Sequence, residues 1–191
     1  MERHRSPGQR AGLTRGRVLA AARELLAEEG LMALTMRGLA TRLGVAPNAL
    51  YSHVDSKTAL VDAVLDDVLG EVAAPSPDAP DPVAGLHALM ASTYEVLLAH
   101  PDLVPVYLAR QGARGPNAHA LGDTMLALLA RAGVEGQAAI EALRVLIVYT
   151  IGFAAFDRPR ADAAVPAAEL AGNFDRGLRW LLAGVIGAGG R

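Results

Sequence analysis

Residue types that do chemistry are sparse in this chain, and their spacing excludes most of what they could do. There is no cysteine among the 191 residues, so thiol nucleophiles, disulfides and Cys-based metal sites fall together. The serines are Ser6, Ser52, Ser56, Ser76 and Ser92, and none lies in a Gly-x-Ser-x-Gly turn that would expose a nucleophile. The histidines are His4, His53, His87, His100 and His119; no two are four apart, the spacing that sets two imidazoles on one helix face for a metal. No dinucleotide-type glycine motif follows a strand, and no P-loop occurs. The acidic run Asp62, Asp66, Asp67 and Glu71 follows the polar face of a helical segment and is expected to be solvated. The expectation is no catalytic residue, no metal and no cofactor.

One constellation remains, at residues 35–54: Thr-Met-Arg-Gly-Leu-Ala-Thr-Arg-Leu-Gly-Val-Ala-Pro-Asn-Ala-Leu-Tyr-Ser-His-Val. A helix of about two turns, a tight turn at Gly44 and a second short helix make a helix-turn-helix layout. Ala40 is small where the two helices must approach, and Val45 and Leu50 pack back on the preceding helices. Pro47, Asn48, Tyr51 and Ser52 then face outward, at the start of a helix that would enter a DNA major groove.

The elements that must hold this surface read as helices throughout, with no period-2 run between hairpin turns. Thr14 caps a first helix and Gly30 ends it in the left-handed conformation. Thr35 caps a second helix that Gly44 stops. Pro47 opens a third that runs to about Val54. Asp55 or Ser56 caps a fourth, with Leu60, Val61, Val64, Leu65 and Val68 on one face. Four prolines in residues 74–82 make the clearest break. Five further helices are expected at about 83–99, 102–112, 117–132, 136–157 and 166–187. The fold class is therefore all-α, with about nine helices.

Composition agrees. A hydrophobic fraction of 52% is enough to bury a core and excludes a disordered chain. The net charge of −2 hides an asymmetry. Residues 1–60 carry nine Lys/Arg against five Asp/Glu, and the rest carries nine against fifteen. The front end is thus the part expected to meet an anionic partner. The most apolar stretch, Val145–Ala155, falls short of the ~20 residues of a membrane span and reads as a buried helix. No secretory signal is visible, so the expectation is a soluble cytoplasmic protein with no membrane partner.

Taken together, these pieces resemble the TetR family of one-component bacterial repressors over about residues 14–70. The likeness rests on Ala21-Ala22-Arg23-Glu24-Leu25-Leu26 with Gly30, Thr35-Met36-Arg37-Gly38-Leu39-Ala40, Leu43-Gly44-Val45, Leu50-Tyr51-Ser52-His53-Val54 and Lys57. Val54 stands where many members have Phe. The resemblance implies a flexible basic arm (1–13), a helix-turn-helix DNA-binding domain (14–58) and a ligand-binding and dimerisation domain (59–191).

The resemblance also implies roles. Thr35, Tyr51, His53 and Lys57 would lie at the DNA backbone, with Lys57, the only lysine, on a phosphate. Asn48, with Pro47 and Ala46, would meet base edges, since Asn pairs bidentately with adenine and Pro or Ala touches a thymine methyl. Arg37 would reach a base or a phosphate, and Arg3, Arg5 and Arg10 the minor groove. Structural roles stay open beside these: a plain helix cap for Thr35, packing for Tyr51, a structural ring for His53, a solvated charge for Arg37.

In the second half, Met90, Tyr94, Leu97, Tyr107, Gln111, Met125, Tyr149 and Phe153 lie on helix faces suited to a small-molecule pocket. Tetracycline-binding members of the family use a fourth-helix histidine; none stands around Val72 and Ala73, so a metal–tetracycline chelate is not expected. The last two helices carry more apolar surface than one small domain hides. The resemblance makes them a four-helix dimer bundle, with Gly152, Leu170, Phe174, Gly177, Leu178 and Leu181 at the interface. The expected partners are a double-stranded DNA operator, an unidentified small-molecule effector and a second copy of the chain. Two other readings stay open: a helical ligand carrier or enzyme with a vestigial DNA motif, and a DNA-binding activator or architectural protein.

Overall fold

In the computed structural model, residues 12–157 and 166–189 are described; Arg3, Arg5 and Arg10 lie outside them. The described residues contain helices and no strand. The chain divides into two compact units, Met1–Val64 and Leu65–Arg191.

The first unit holds α1 (Arg15–Glu29), α2 (Met36–Leu43), α3 (Pro47–Leu50) and the start of α4 (Lys57–Leu69). α1, α2 and α4 each start on a polar cap, whereas α3 starts from Ala46 and Pro47 without one. The Thr14 hydroxyl accepts from the Arg17 amide, Thr35 from Gly38 and Ser56 from Ala59, satisfying amides that the helix itself leaves without partners. Gly44 ends α2 in the left-handed conformation, φ 66° and ψ 32°. Gly30 has a positive φ of 78° but an extended ψ of 177°, so the expected left-handed end of α1 is not formed. Val18, Ala22, Leu39, Leu50 and Leu60 close the core of this unit.

α3 is shorter than expected, four residues instead of a run to Val54. The Ser52 hydroxyl donates to the Ala49 carbonyl at 2.7 Å, and the His53 amide bonds back to Leu50, three residues away. Such local bonds turn a helix end into successive turns.

The second unit contains α5 (Pro82–Ala99), a 3-10 turn (Pro101–Leu103), α6 (Val104–Arg110), α7 (Pro116–Arg131), α8 (Gly136–Phe156) and α9 (Ala167–Gly189). α5 and α8 lie against each other, and each also packs on α7 and α9. Asp81 caps α5 through the Val83 and Ala84 amides, with Pro82 in the first turn. Gly85 lets α5 approach α7 closely, since a Cβ there would lie 3.1 Å from a Leu128 methyl and push it by a few tenths of an ångström. Arg131 donates to the Pro77 and Ala79 carbonyls and so fixes the proline-rich segment. α8 is long and apolar enough to cross a membrane by length and composition. Leu146 and Thr150 face the core, while Val148 is 70% and Phe156 67% exposed in the single chain, in keeping with a helix too apolar for one domain to hide.

Candidate functional site

In the first unit, Thr35, Arg37, Ala46, Pro47, Asn48, Tyr51 and Lys57 are all exposed, and His53 is half-buried. Ala46, Asn48, Ser52 and His53 share an open groove of about 540 Å³, whose wall is completed by Arg17 and the turn at Gly44. The Arg15 guanidinium donates to the His53 carbonyl at 3.3 Å, and Arg17 donates to the Gly12 carbonyl at 3.0 Å. Sequence reasoning missed these two arginines. Their only signal is their place in the first turn of the helix that Thr14 caps.

Behind this surface an ion-pair cluster ties α2 to α1. Arg42 of α2 reaches Glu28 at 2.7 Å and Glu24 at 3.1 Å, both on α1. The hydrogen bonds to Glu28 and then Glu24 push the Arg42 guanidinium further up, and the Arg42 bond holds Glu28 below the ordinary carboxylate range. Arg42 is thus engaged in fixing α2, while Arg37 points outward. Lys57 Nζ donates to the Leu31 carbonyl at a long 3.4 Å from an exposed position. The groove and its neighbours offer amide, hydroxyl and cationic donors on a fixed backbone, the chemistry that duplex DNA takes at base edges and phosphates.

The second unit holds a partly open cavity of about 160 Å³. Of the residues expected to line a pocket, Met90, Leu97, Tyr107, Gln111 and Met125 do so. Tyr94, Tyr149 and Phe153 do not line this cavity, and Tyr149 and Phe153 line a separate open groove with Gly177 and Trp180 instead. All three gather around Phe174: its ring stacks on Tyr94 with centroids 3.9 Å apart, and lies 5.4 Å from Tyr149 and 5.6 Å from Phe153. The Tyr94 hydroxyl donates to the buried Asp157 carboxylate at 2.5 Å. Burial first, and this bond second, push the Tyr94 phenol well above its usual range. Thr93, Ala118, Gly122 and Thr150 line the cavity as well. Thr93 was legible on the same helix face as Met90, whereas small residues such as Gly122 give no periodic signal.

Asp66 corrects the expectation of a solvated acidic face. It is only 5% exposed and caps α7, accepting from the Ala118 amide at 2.8 Å and the Asn117 amide at 3.3 Å. Beside it, the Tyr107 hydroxyl donates to the Leu65 carbonyl at 2.5 Å, and Glu71 pairs with His100 at 2.8 Å. The last turn of α4 is therefore bound to α6 and α7, both of which contribute to the cavity wall.

The residues expected at a dimer interface separate. Leu170, Phe174 and Leu178 are buried within the chain itself, because their face of α9 lies on α5 and α8. Gly177 accommodates Tyr149, whose hydroxyl a Cβ at that position would strike. Gly152 is exposed and Leu181 half-buried. The large apolar side chains left outward on these helices are Ile140, Val145, Val148, Phe156 and Trp180.

Residues 18–64 match the bacterial regulatory proteins of the tetR family, and residues 74–177 match the tetracyclin repressor-like C-terminal domain. The chain belongs to the TetR family. A helix-turn-helix-type transcriptional regulator of Saccharopolyspora erythraea is 33% identical over 93% of this chain and 86% of its own length. Apo ActR of Streptomyces coelicolor superposes with a TM-score of 0.81 at 29% identity, covering 94% of this chain and 98% of ActR. BioQ of Mycobacterium smegmatis gives 0.78 at 29% identity, over 92% of this chain and 99% of BioQ. This TetR-family chain is a ligand-responsive, DNA-binding transcriptional regulator; the family's members are transcription regulators rather than enzymes.

Proposed function

We propose that the chain is a cytoplasmic, homodimeric repressor that leaves a two-fold operator when a small molecule enters the α5–α8 cavity. The observation that carries this reading is the composition of α4. The same helix bears Lys57 in its first turn and, in its last, Leu65, Asp66 and Leu69, which bind or line the walls of the cavity. A ligand that strains those walls acts on the element that carries a DNA-facing lysine. Coupling of about 1–3 kcal/mol is enough for a switch of this kind.

In this proposal residues 14–58 read DNA and 59–191 bind ligand and dimerise. Asn48, Pro47 and Ala46 meet base edges. Thr35, Tyr51, His53 and Lys57 meet the backbone, and Arg37 either. The second copy covers Val145, Val148, Gly152, Phe156 and Trp180, an exposed apolar stripe of the kind that marks an interface. ActR has been solved with actinorhodin and BioQ with its double-stranded operator, which supports both halves of the reading. The test is a gel shift of the full chain with the DNA upstream of its own gene, against random DNA of equal length. The expected result is tighter binding to the upstream DNA by about a thousandfold or more, with two chains per site. Equal affinity for both DNAs would favour an architectural protein and overturn the repressor reading.

A further inference from the structure

We propose that the cavity takes an uncharged, predominantly apolar molecule, about one ring in size, that carries a hydroxyl or N–H donor, and that Gly122 sets how large it can be. The inference rests on the reading of this cavity as the effector site.

The first observation is electrostatic. No Asp, Glu, Lys, Arg or His lines the cavity. A charged ligand would be taken out of water with no counter-charge to meet it, which is costly even when partly hydrogen-bonded. The nearest anion-attracting feature, the start of α7, is already occupied. The amide of Ala118, a lining residue, gives its hydrogen to Asp66 Oδ1 at 2.8 Å. That carboxylate adds negative charge behind the wall and opposes an anion further.

The second observation concerns the direction of the hydrogen bonds. Three lining residues carry hydroxyls, and each donates its hydrogen to a backbone carbonyl. Thr93 bonds Leu89 at 2.8 Å, Thr150 bonds Leu146 at 2.9 Å and Tyr107 bonds Leu65 at 2.5 Å. What the Thr93 and Thr150 oxygens retain is acceptor capacity. A ligand with its own O–H or N–H complements them, and a carboxylate or phosphate meets lone pairs. Gln111, in the left-handed conformation at φ 56°, is the one lining side chain with free choice of donor and acceptor.

The third observation is size. At about 160 Å³ the cavity is close to the roughly 150 Å³ of an apolar protein cavity that holds benzene. Gly122 lies on its wall in mid-α7, and a Cβ built there meets nothing within 4 Å. Its missing side chain leaves open space at the cavity wall. A larger residue fills that space, and removing a helical glycine does not weaken α7.

The experiment is calorimetric titration of the full chain at neutral pH with 4-ethylphenol, 4-ethylbenzoate and 4-ethylbenzylammonium. Gly122→Leu is titrated alongside. The expected result is one phenol per chain, bound about tenfold or more tighter than either ion, with that binding lost in Gly122→Leu. Circular dichroism checks that the variant keeps its helices. Equal or tighter binding of either ion, no detectable phenol binding at millimolar concentration, or phenol binding unchanged in Gly122→Leu each overturns the proposal. Operator release is read separately. Phenol bound in the cavity without effect on DNA would leave the ligand class standing and remove the induction reading instead.

Discussion

Asp66 and Asn117 hold one another from both ends: the Asn117 side-chain amide donates to the Asp66 carbonyl at 2.9 Å, and the Asn117 backbone amide to the Asp66 carboxylate at 3.3 Å. Through this pair the last turn of α4 is locked to the first turn of α7. Asp66→Ala leaves the Asn117 and Ala118 amides without their cap and is expected to cost about 1–3 kcal/mol of stability. Asp66→Asn keeps an acceptor oxygen and should cost less. Urea unfolding of the two variants checks this. An Ala variant as stable as the parent would mean that water replaces the cap without loss.

The backbone contacts are tested by salt. If Lys57 meets a phosphate in each of two copies, Lys57→Ala makes the slope of log K against log salt shallower by about 2. The loss should be alike on operator and random DNA, because phosphates carry no sequence. Tyr51→Phe should weaken binding at an unchanged slope, since its hydroxyl is neutral. Fluorescence anisotropy across a salt series measures both, and an unchanged slope in Lys57→Ala would remove Lys57 from the interface.

Val148 is 70% exposed in the middle of an apolar helix, where a second copy would bury it. Val148→Glu is expected to yield a folded monomer in sedimentation and to weaken operator binding by about tenfold or more, because two half-sites are no longer bound together. A Val148→Glu protein that stays dimeric would place the interface elsewhere.

Tyr94 is expected to contribute to the fall of stability at alkaline pH. Its folded-state ionisation lies above the unfolded value of about 10, so the unfolded chain loses this proton first. The contribution is whole below about pH 10 and falls as pH rises from there. Tyr94→Phe should start from a lower stability, with Asp157 unpartnered, and decline less steeply above pH 10. Thermal melts from pH 8 to pH 11.5 give the slopes. Equal slopes would mean that the Tyr94–Asp157 contact does not resist ionisation.

Helices and caps were legible because their causes are local. Thr14, Thr35 and Gly44 act within a few residues of themselves, and the apolar spacing of α4 repeats along one segment. The fate of the polar residues depended on partners far along the chain. Asp66 looks like its neighbours Asp62 and Asp67 until α7 arrives 51 residues later to be capped. Tyr94 and Phe153 carry the same helical spacing as the residues that line the α5–α8 cavity, and only Phe174, on another helix, draws them into a separate aromatic cluster. Leu170 and Leu178 were apolar in excess by count, yet which face of α9 turns inward is decided by α5 and α8. Gly122 matters through a side chain it lacks, which no pattern reveals.

The most direct test of the α2–α3 surface as a sequence reader is selection of binding sites from a random duplex library, run with the full chain and with Asn48→Ala. The parent is expected to enrich an inverted repeat whose half-sites lie about one helical turn, 34–36 Å, or a multiple of it apart. Asn48→Ala should enrich the same repeat with preference relaxed at one base pair per half-site, a loss of about 1–3 kcal/mol there. Enrichment of no repeat, or an identical site from both proteins, would contradict the account.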